Sequence, residues 1–359
     1  MNRIVLFVVS LLAAVAMTGN AAAQSSSAPV GVQYQSGNGS GALCMNMFVP
    51  IDLADVPDAV IYGELCAPPN ASPNTVELLV HGTNYDHFYW DWPANPHQYS
   101  HVGNAIDHGY ATFNIDRIGT GWSTKPLSFT FPSSDWIQSL HQLVVGLRDG
   151  SIGGSPFANV VYFGSSLTVV QGWLLAEAYP GDIDAFIMTG LSHLTTPTFF
   201  GLVQTYIIPA CMDPKFSDLD CGYLATVNGS RPLFFYHEGN ISQANVTIDQ
   251  LLHDVAPGPA TFETAAYVLG NPDVATSPSQ AIDVPVLLAM GEFDATTCGP
   301  DGITCTVENL LALEATFYQS APVLDAYIAP NTGHALTLHY TALDTANFIH
   351  SWIDSYVGN

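Results

Sequence analysis

A mostly parallel β-sheet with helices on both faces and an inserted cap is the α/β fold class that this 359-residue chain predicts, and three observations predict it. Short apolar runs alternate with longer helical patterns, the rhythm of strand–helix units. Some runs, such as Val284-Pro285-Val286-Leu287-Leu288-Ala289-Met290-Gly291, are apolar throughout, as strands buried on both faces are. After Leu191 the alternation stops for about ninety residues before the Val284 run, far longer than an ordinary connection.

In chain order, residues 25–40 are Ser/Gly-rich and predicted mobile. Two antiparallel strands follow near 42–52 and 58–67. Strand 75–81 leads to a helix near 97–108, strand 110–116 to a helix near 133–148, and strand 158–164 to a helix near 167–179. Strand 184–189 closes this core segment, 41–190. Residues 191–280, with Pro-, Asn- and Gly-rich pieces and short helical patterns, read as a cap over one sheet edge. The core resumes over 281–359, with strand 284–291, a helix near 306–318, strand 323–329 and a terminal helix near 335–355.

The chemistry begins at Gly164-Ser165-Ser166-Leu167-Thr168, directly after the apolar run Asn159–Phe163. A strand that turns through Gly-x-Ser-x-small into a helix is a nucleophile elbow, holding the middle serine out at the sheet's carboxyl edge. Such a serine needs a base to take its proton and an acid to orient the base. Asp294 lies just past the end of strand 284–291. His334 follows strand 323–329 through Ala329-Pro330-Asn331-Thr332-Gly333. Ser166, Asp294 and His334 thus fall in the order Ser, acid, His, each after its own strand. Glu292 and Asp301 compete with Asp294, and His339 with His334; Glu292 lies too close to the strand end, Asp301 between two cysteines, and His339 one turn into the terminal helix. Strand 75–80 ends in His81-Gly82-Thr83, where glycine lets backbone approach a substrate oxygen; the amides of Thr83 and Leu167 are the predicted oxyanion hole.

Together with Asp116-Arg117-Ile118-Gly119-Thr120-Gly121-Trp122-Ser123, these motifs resemble the α/β-hydrolase superfamily over roughly residues 58–356. The resemblance implies acyl-transfer chemistry, usually hydrolysis of esters, thioesters, lactones or amides, with a cap that selects substrate. The departure is Thr168, where the family normally has a glycine because the helix packs closely on the strand; a β-branched residue is expected to fit only with local adjustment. His81, Asp116 and Arg117 are expected to brace the oxyanion loop. The loop Tyr85-Asp86-His87-Phe88-Tyr89-Trp90-Asp91-Trp92 reads equally as a core-packing aromatic cluster and as a pocket wall to which Phe88, Tyr89 and Trp90 contribute, and His193 is a further pocket candidate.

Composition bounds the rest. Met1-Asn2-Arg3, the apolar Ile4–Met17 and Ala21-Ala22-Ala23 read as a cleaved signal peptide over 1–24. The six cysteines fall into three sequence-local pairs, Cys44 with Cys66, Cys211 with Cys221, and Cys298 with Cys305, read as disulfides of an exported protein, secreted or periplasmic. No Cys-x-x-Cys occurs, so no metal is expected, and His97 and His101 read as surface histidines. Six Lys+Arg against 31 Asp+Glu, a formal charge of −25, exclude nucleic-acid binding and disfavour anionic lipid surfaces. Sequons stand at Asn38, Asn70, Asn228, Asn240 and Asn245. The expectation is an exported serine hydrolase acting on a small, apolar carboxylic ester or lactone, with no cofactor and no stable membrane insertion. Rivals on the same triad are a peptidase, a thioesterase, or a lyase or transferase; a non-catalytic binding module that kept the fold is the rival from another class.

Overall fold

The computed structural model describes residues 33–35, 41–270 and 272–359. The expected signal peptide, most of the 25–40 segment and Asn38 lie outside them. Within that segment Gln33–Gln35 (β1) is not loose chain: it pairs antiparallel with Leu43–Met45.

The sheet begins with the antiparallel strands Leu43–Ile51 (β2) and Ala59–Ala67 (β3). Their register sets Cys44 opposite Cys66, and the two form a disulfide. Thr75–Val80 (β4) follows. The predicted helix 97–108 is two pieces, Pro96–Tyr99 (α1) and His101–Asp107 (α2). Ser100 separates them in an extended conformation and caps the second, its Oγ accepting from Gly103 N–H at 2.7 Å. Ala111–Ile115 (β5), Ser133–Asp149 (α3), Asn159–Ser165 (β6), Thr168–Ala178 (α4) and Ala185–Thr189 (β7) continue the alternation. Helix α3 stops at Gly150, whose φ of 79° suits glycine.

Residues between β7 and the next core strand build their own structure. Helix Pro197–Tyr206 (α5), strands Ile207–Pro209 (β8) and Tyr223–Thr226 (β9), helices Arg231–Phe235 (α6) and Gln243–Leu252 (α7), strand Ala256–Pro257 (β10) and helix Gly258–Ala265 (α8) follow one another, the three strands forming a small antiparallel sheet. A disulfide joins Cys211 to Cys221 within it. The core returns with Val286–Gly291 (β11), Val307–Glu314 (α9), Leu324–Ala329 (β12) and Ala342–Tyr356 (α10). Cys298–Cys305 closes the loop between β11 and α9. The terminal helix starts seven residues later than the pattern of residues 335–355 predicts. Leu336–Leu338 make only a 3-10 turn, because His339 folds its ring back onto the backbone there.

The nine strands run in the order β1-β2-β3-β5-β4-β6-β7-β11-β12, and all neighbours from β5 to β12 are parallel. Alternate side chains divide between two cores. Leu78, Val80, Val160 and Tyr162 face α3 and α4, while Leu79, Val161 and Phe163 face α2 and α10. Each such fully buried side chain stabilises the fold by roughly 1.5–3 kcal/mol. Because β4 is flanked by β5 on one side and β6 on the other, the strand order reverses there. At such a reversal, open α/β sheets bind ligands outside the carboxyl ends of the strands, here those of β4 and β6.

His101 is not a surface residue. Its Nε2 lies 2.9 Å from Glu77 Oε2, and His350 Nε2 lies 2.9 Å from Glu77 Oε1, all three side chains buried between β4 and the helices. Burial alone would raise the Glu77 carboxyl, but the two imidazoles, His350 foremost, hold it down at about 2. His97, on the other helix piece, is exposed. Of the described sequons, Asn245 is buried, accepting from Trp92 Nε1 and donating to the Leu338 carbonyl, which removes it as a glycan acceptor.

Candidate active site

Ser166 follows β6 without a spacer. Its φ of 56° is left-handed, a conformation that costs a residue with a side chain about 1–2 kcal/mol. Bonds on both sides hold it there: Ser166 N–H donates to the Thr189 carbonyl at 2.7 Å and Val169 N–H donates to the Ser166 carbonyl at 2.9 Å. Gly164 permits the close turn, since a Cβ there would fall 2.9 Å from Thr168 O and Val169 N. The serine is left half-buried at the sheet edge.

Thr168 supplies the local adjustment through its hydroxyl. Fully buried, it accepts from Ser165 N–H at 2.8 Å and stands 3.0 and 2.9 Å from the Val80 and Ser165 carbonyls. One hydroxyl thus ties the elbow to itself and to the end of β4. Thr168→Val keeps the shape but leaves Ser165 N–H unpaired, so denaturant unfolding is expected to show a loss of about 1–3 kcal/mol.

The loop after β4 is held from beneath. His81 Nδ1 lies 2.9 Å from the Gly82 carbonyl and therefore carries the ring proton; Arg117 Nη2 donates to the same carbonyl at 3.2 Å. Arg117 N–H donates to His81 Nε2 at 3.3 Å. Burial and the adjacent Arg117 charge push His81 down to about 3, so the ring is neutral. In a planar trans peptide N–H and C=O point opposite ways. Fixing the Gly82 carbonyl inward therefore turns Thr83 N–H outward. The loop runs past the serine, a Cβ on Gly82 being 3.2 Å from Ser166 Cβ. Neither Thr83 N–H nor Leu167 N–H has a hydrogen-bond partner among the described residues.

Past β11, Asp294 is fully buried, with Thr296 N–H and Oγ1 donating to its Oδ1 at 2.9 and 2.7 Å. Both its oxygens stand 3.0 Å from His334 Nδ1. His334 is nearly buried, and its Nε2 has no hydrogen-bond partner among the described residues. His334 reaches the carboxyl end of β7, next to β6: a Cβ on Gly190, the residue after Thr189, would lie 3.1 Å from its Cε1. The rivals are engaged elsewhere. Glu292 accepts from Asn331 N–H at 2.9 Å, and Asp301 from Thr198 N–H at 2.7 Å.

His339 braces the histidine loop. Its Nδ1 donates to the Ala335 carbonyl at 2.7 Å, and its Nε2 accepts from Gly333 N–H at 3.1 Å and His237 N–H at 3.0 Å. Burial pushes its pKa down to about 4. A base whose folded pKa lies below its unfolded value costs nothing above pH 6.5. As pH falls from 6.5 to about 4, the unfolded imidazole takes a proton that the folded one refuses. Melting temperatures measured across that window are expected to fall, with about 3 kcal/mol due to His339, and the slope is expected to be shallower in His339→Gln.

Of the two readings of the aromatic loop, Tyr89 and Trp90 follow core packing: both are only 1 % exposed and belong to the core on the α2 side. Phe88 packs against His87, ring centroids 4.3 Å apart. His193 is sandwiched between Trp173 and Phe317, at 4.1 and 3.7 Å, with Glu314 at 2.7 Å on Nδ1 and Ser279 at 3.0 Å on Nε2. With both faces and both nitrogens occupied it offers nothing to a ligand. The rings that do approach His334 are Phe235 and Phe199, at 5.8 and 6.0 Å, with Tyr85 5.0 Å from Phe235. Phe199 and Phe235 lie between β7 and β11, in a stretch whose path no periodicity fixes, so no sequence signal marked them.

Two buried sets of side chains converge as metal ligands can: Glu77 with His101 and His350, and Asp86 with His87 and Asp116. In the first, both imidazoles are bonded to Glu77; in the second, His87 Nδ1 lies 2.8 Å from Asp116 Oδ1 and Asp86 accepts from Phe88 N–H at 3.0 Å.

No protein-family model matches the chain, and no curated protein matches it in sequence. Solved structures do match. An esterase from Thermogutta terrifontis is 16 % identical with a TM-score of 0.57, over 86 % of this chain and 98 % of that one. A bromoperoxidase from Bacillus anthracis is 15 % identical with a TM-score of 0.55, over 86 % and 98 %. A bacterial membrane phospholipase A is 14 % identical with a TM-score of 0.54, over 87 % and 86 %. Strand order, the strained serine after β6 and these likenesses agree: the chain has the α/β-hydrolase fold.

Proposed function

We propose that this protein is an exported serine hydrolase that cleaves a carboxylic ester or lactone through Ser166, His334 and Asp294. What supports the reading is a left-handed Ser166 at the elbow together with His334, past another strand of the same parallel sheet, whose Nδ1 is held by a buried carboxylate. His334 Nε2 takes the Ser166 proton as Oγ attacks the carbonyl carbon. Asp294 fixes the tautomer and stabilises the imidazolium. The amides of Thr83 and Leu167 receive the oxyanion. The imidazolium then protonates the leaving alcohol, and water, activated by the same nitrogen, releases the acid. Phe199, Phe235 and Tyr85 favour an apolar group next to the scissile bond. The esterase and phospholipase among the structural neighbours fit this chemistry. Three disulfides fit an oxidising compartment, and no described helix is long and apolar enough to cross a membrane.

The test is turnover of a p-nitrophenyl ester series from acetate to decanoate, with a lactone alongside. The reading expects hydrolysis that favours apolar acyl groups. A folded protein that turns over none of these substrates contradicts it.

A further inference from the structure

One short piece of the insertion, residues 231–237, touches both loops that the proposed chemistry needs. On the oxyanion side, Arg231 is 1 % exposed and forks onto Asp249 of α7, Nη2 to Oδ1 at 2.6 Å and Nε to Oδ2 at 2.8 Å. Its Nη1 donates to the Asn84 carbonyl at 3.1 Å. Asn84 directly follows Thr83 and has φ 63°. Asn84 Nδ2 donates to the carbonyls of Leu224 and Asp254, at 2.9 and 3.2 Å, so the whole residue is tied to the insertion. The guanidinium carbon lies 4.4 Å from the Tyr85 ring centre and 4.7 Å from that of Phe235.

On the histidine side, the Phe235 carbonyl accepts Ala335 N–H at 2.9 Å, one residue past His334. His237 N–H donates at 3.0 Å to His339 Nε2, the atom that also holds Gly333 N–H. Phe235 therefore stands between Arg231 and the imidazole, with its carbonyl on the histidine loop.

A buried ion pair adds little net stability over apolar residues of the same size. What arginine adds is direction, because its planar fork fixes a carboxylate and a carbonyl at once. Resting on the serine-hydrolase reading, we propose that Arg231, held by Asp249, is a positioning residue that sets the oxyanion loop through Asn84. Segment 231–237 thereby locks that loop and the His334 loop into one register. Catalytic competence then depends on the insertion being seated, over and above its contacts with substrate.

The experiment uses the intact protein and compares it with Arg231→Met/Asp249→Asn. The double variant removes both charges of the pair, so neither is left unpaired, and keeps an acceptor for Tyr236 Oη, which donates to Asp249. Expected is a retained melting temperature, KM within about threefold, and kcat lower by about 10- to 100-fold, as a small misplacement of a transition-state donor produces. The rate of phosphonylation by a fluorophosphonate, which places an oxygen in the same hole, is expected to fall in parallel. Arg231→Lys keeps the charge without the fork and is expected to fall between the two; it carries the test should the double variant fail to fold. A variant that is phosphonylated and turns over ester at the wild-type rate overturns the proposal. A wild-type protein that does not react at all overturns the serine-hydrolase reading instead, and the proposal with it.

Discussion

Ser166→Gly is expected to abolish ester turnover and at the same time make the protein slightly more stable. The activity loss follows from removing the proposed nucleophile and should be at least about 10⁴-fold in kcat. The gain in stability follows from backbone geometry. At φ 56° the serine pays for its Cβ, about 1–2 kcal/mol, and glycine does not. Glycine's greater freedom in the unfolded chain returns about 0.5–1 kcal/mol of that. The net is a rise of about 1–2 °C in melting temperature. Ser166→Ala is the control: it loses the hydroxyl but keeps the Cβ, so it should be equally inactive without the gain. Equal melting temperatures for the glycine and alanine variants would mean that the elbow stores no strain. Substantial turnover by either would place the nucleophile elsewhere.

Asp294→Asn should cost nearly as much activity, about 10⁴-fold in kcat, with little change in KM. Asp294 offers two oxygens to His334 Nδ1 and takes both donors of Thr296 on Oδ1. Asparagine can keep the Thr296 bonds with its one oxygen. Its Nδ2 then faces Nδ1 of the imidazole, where two donors cannot meet, so the ring adopts the tautomer with its proton on Nε2. That nitrogen can no longer take the serine proton. Single-turnover measurements with a chromogenic ester would show slow acylation, while unfolding curves should remain near wild type. A drop of less than about tenfold would mean that Asp294 orients nothing that matters to the rate.

The parts of this molecule legible in its sequence are those fixed by short-range rules. A strand ending in Gly164 and turning at Ser166 is local chemistry, and it is observed as a positive-φ serine entering α4. The order of strands and helices followed from apolar runs, because strands buried on both faces must be continuously apolar. The cysteine pairs joined as their spacing suggested. The misreadings are residues whose surroundings arrive from far along the chain. His101 looked exposed because Glu77 and His350, which enclose it, are distant in sequence. His193 looked available because Trp173, Glu314 and Phe317 are brought to it only by folding. The start of the terminal helix was misplaced because the His339 ring, rather than the next helical turn, takes the backbone groups of residues 333 and 335. Arg231 and Asn84 carried no motif, since a long-range tie between an insertion and a loop leaves no spacing to detect.

The most direct test of the central claim is reaction of the purified, disulfide-intact protein with a fluorophosphonate, followed by peptide mass spectrometry. A triad built as proposed predicts one stoichiometric phosphonyl adduct on Ser166, lost in Ser166→Ala and strongly slowed in His334→Ala. Folded protein that stays unmodified, or that carries its adduct on another residue, would contradict it.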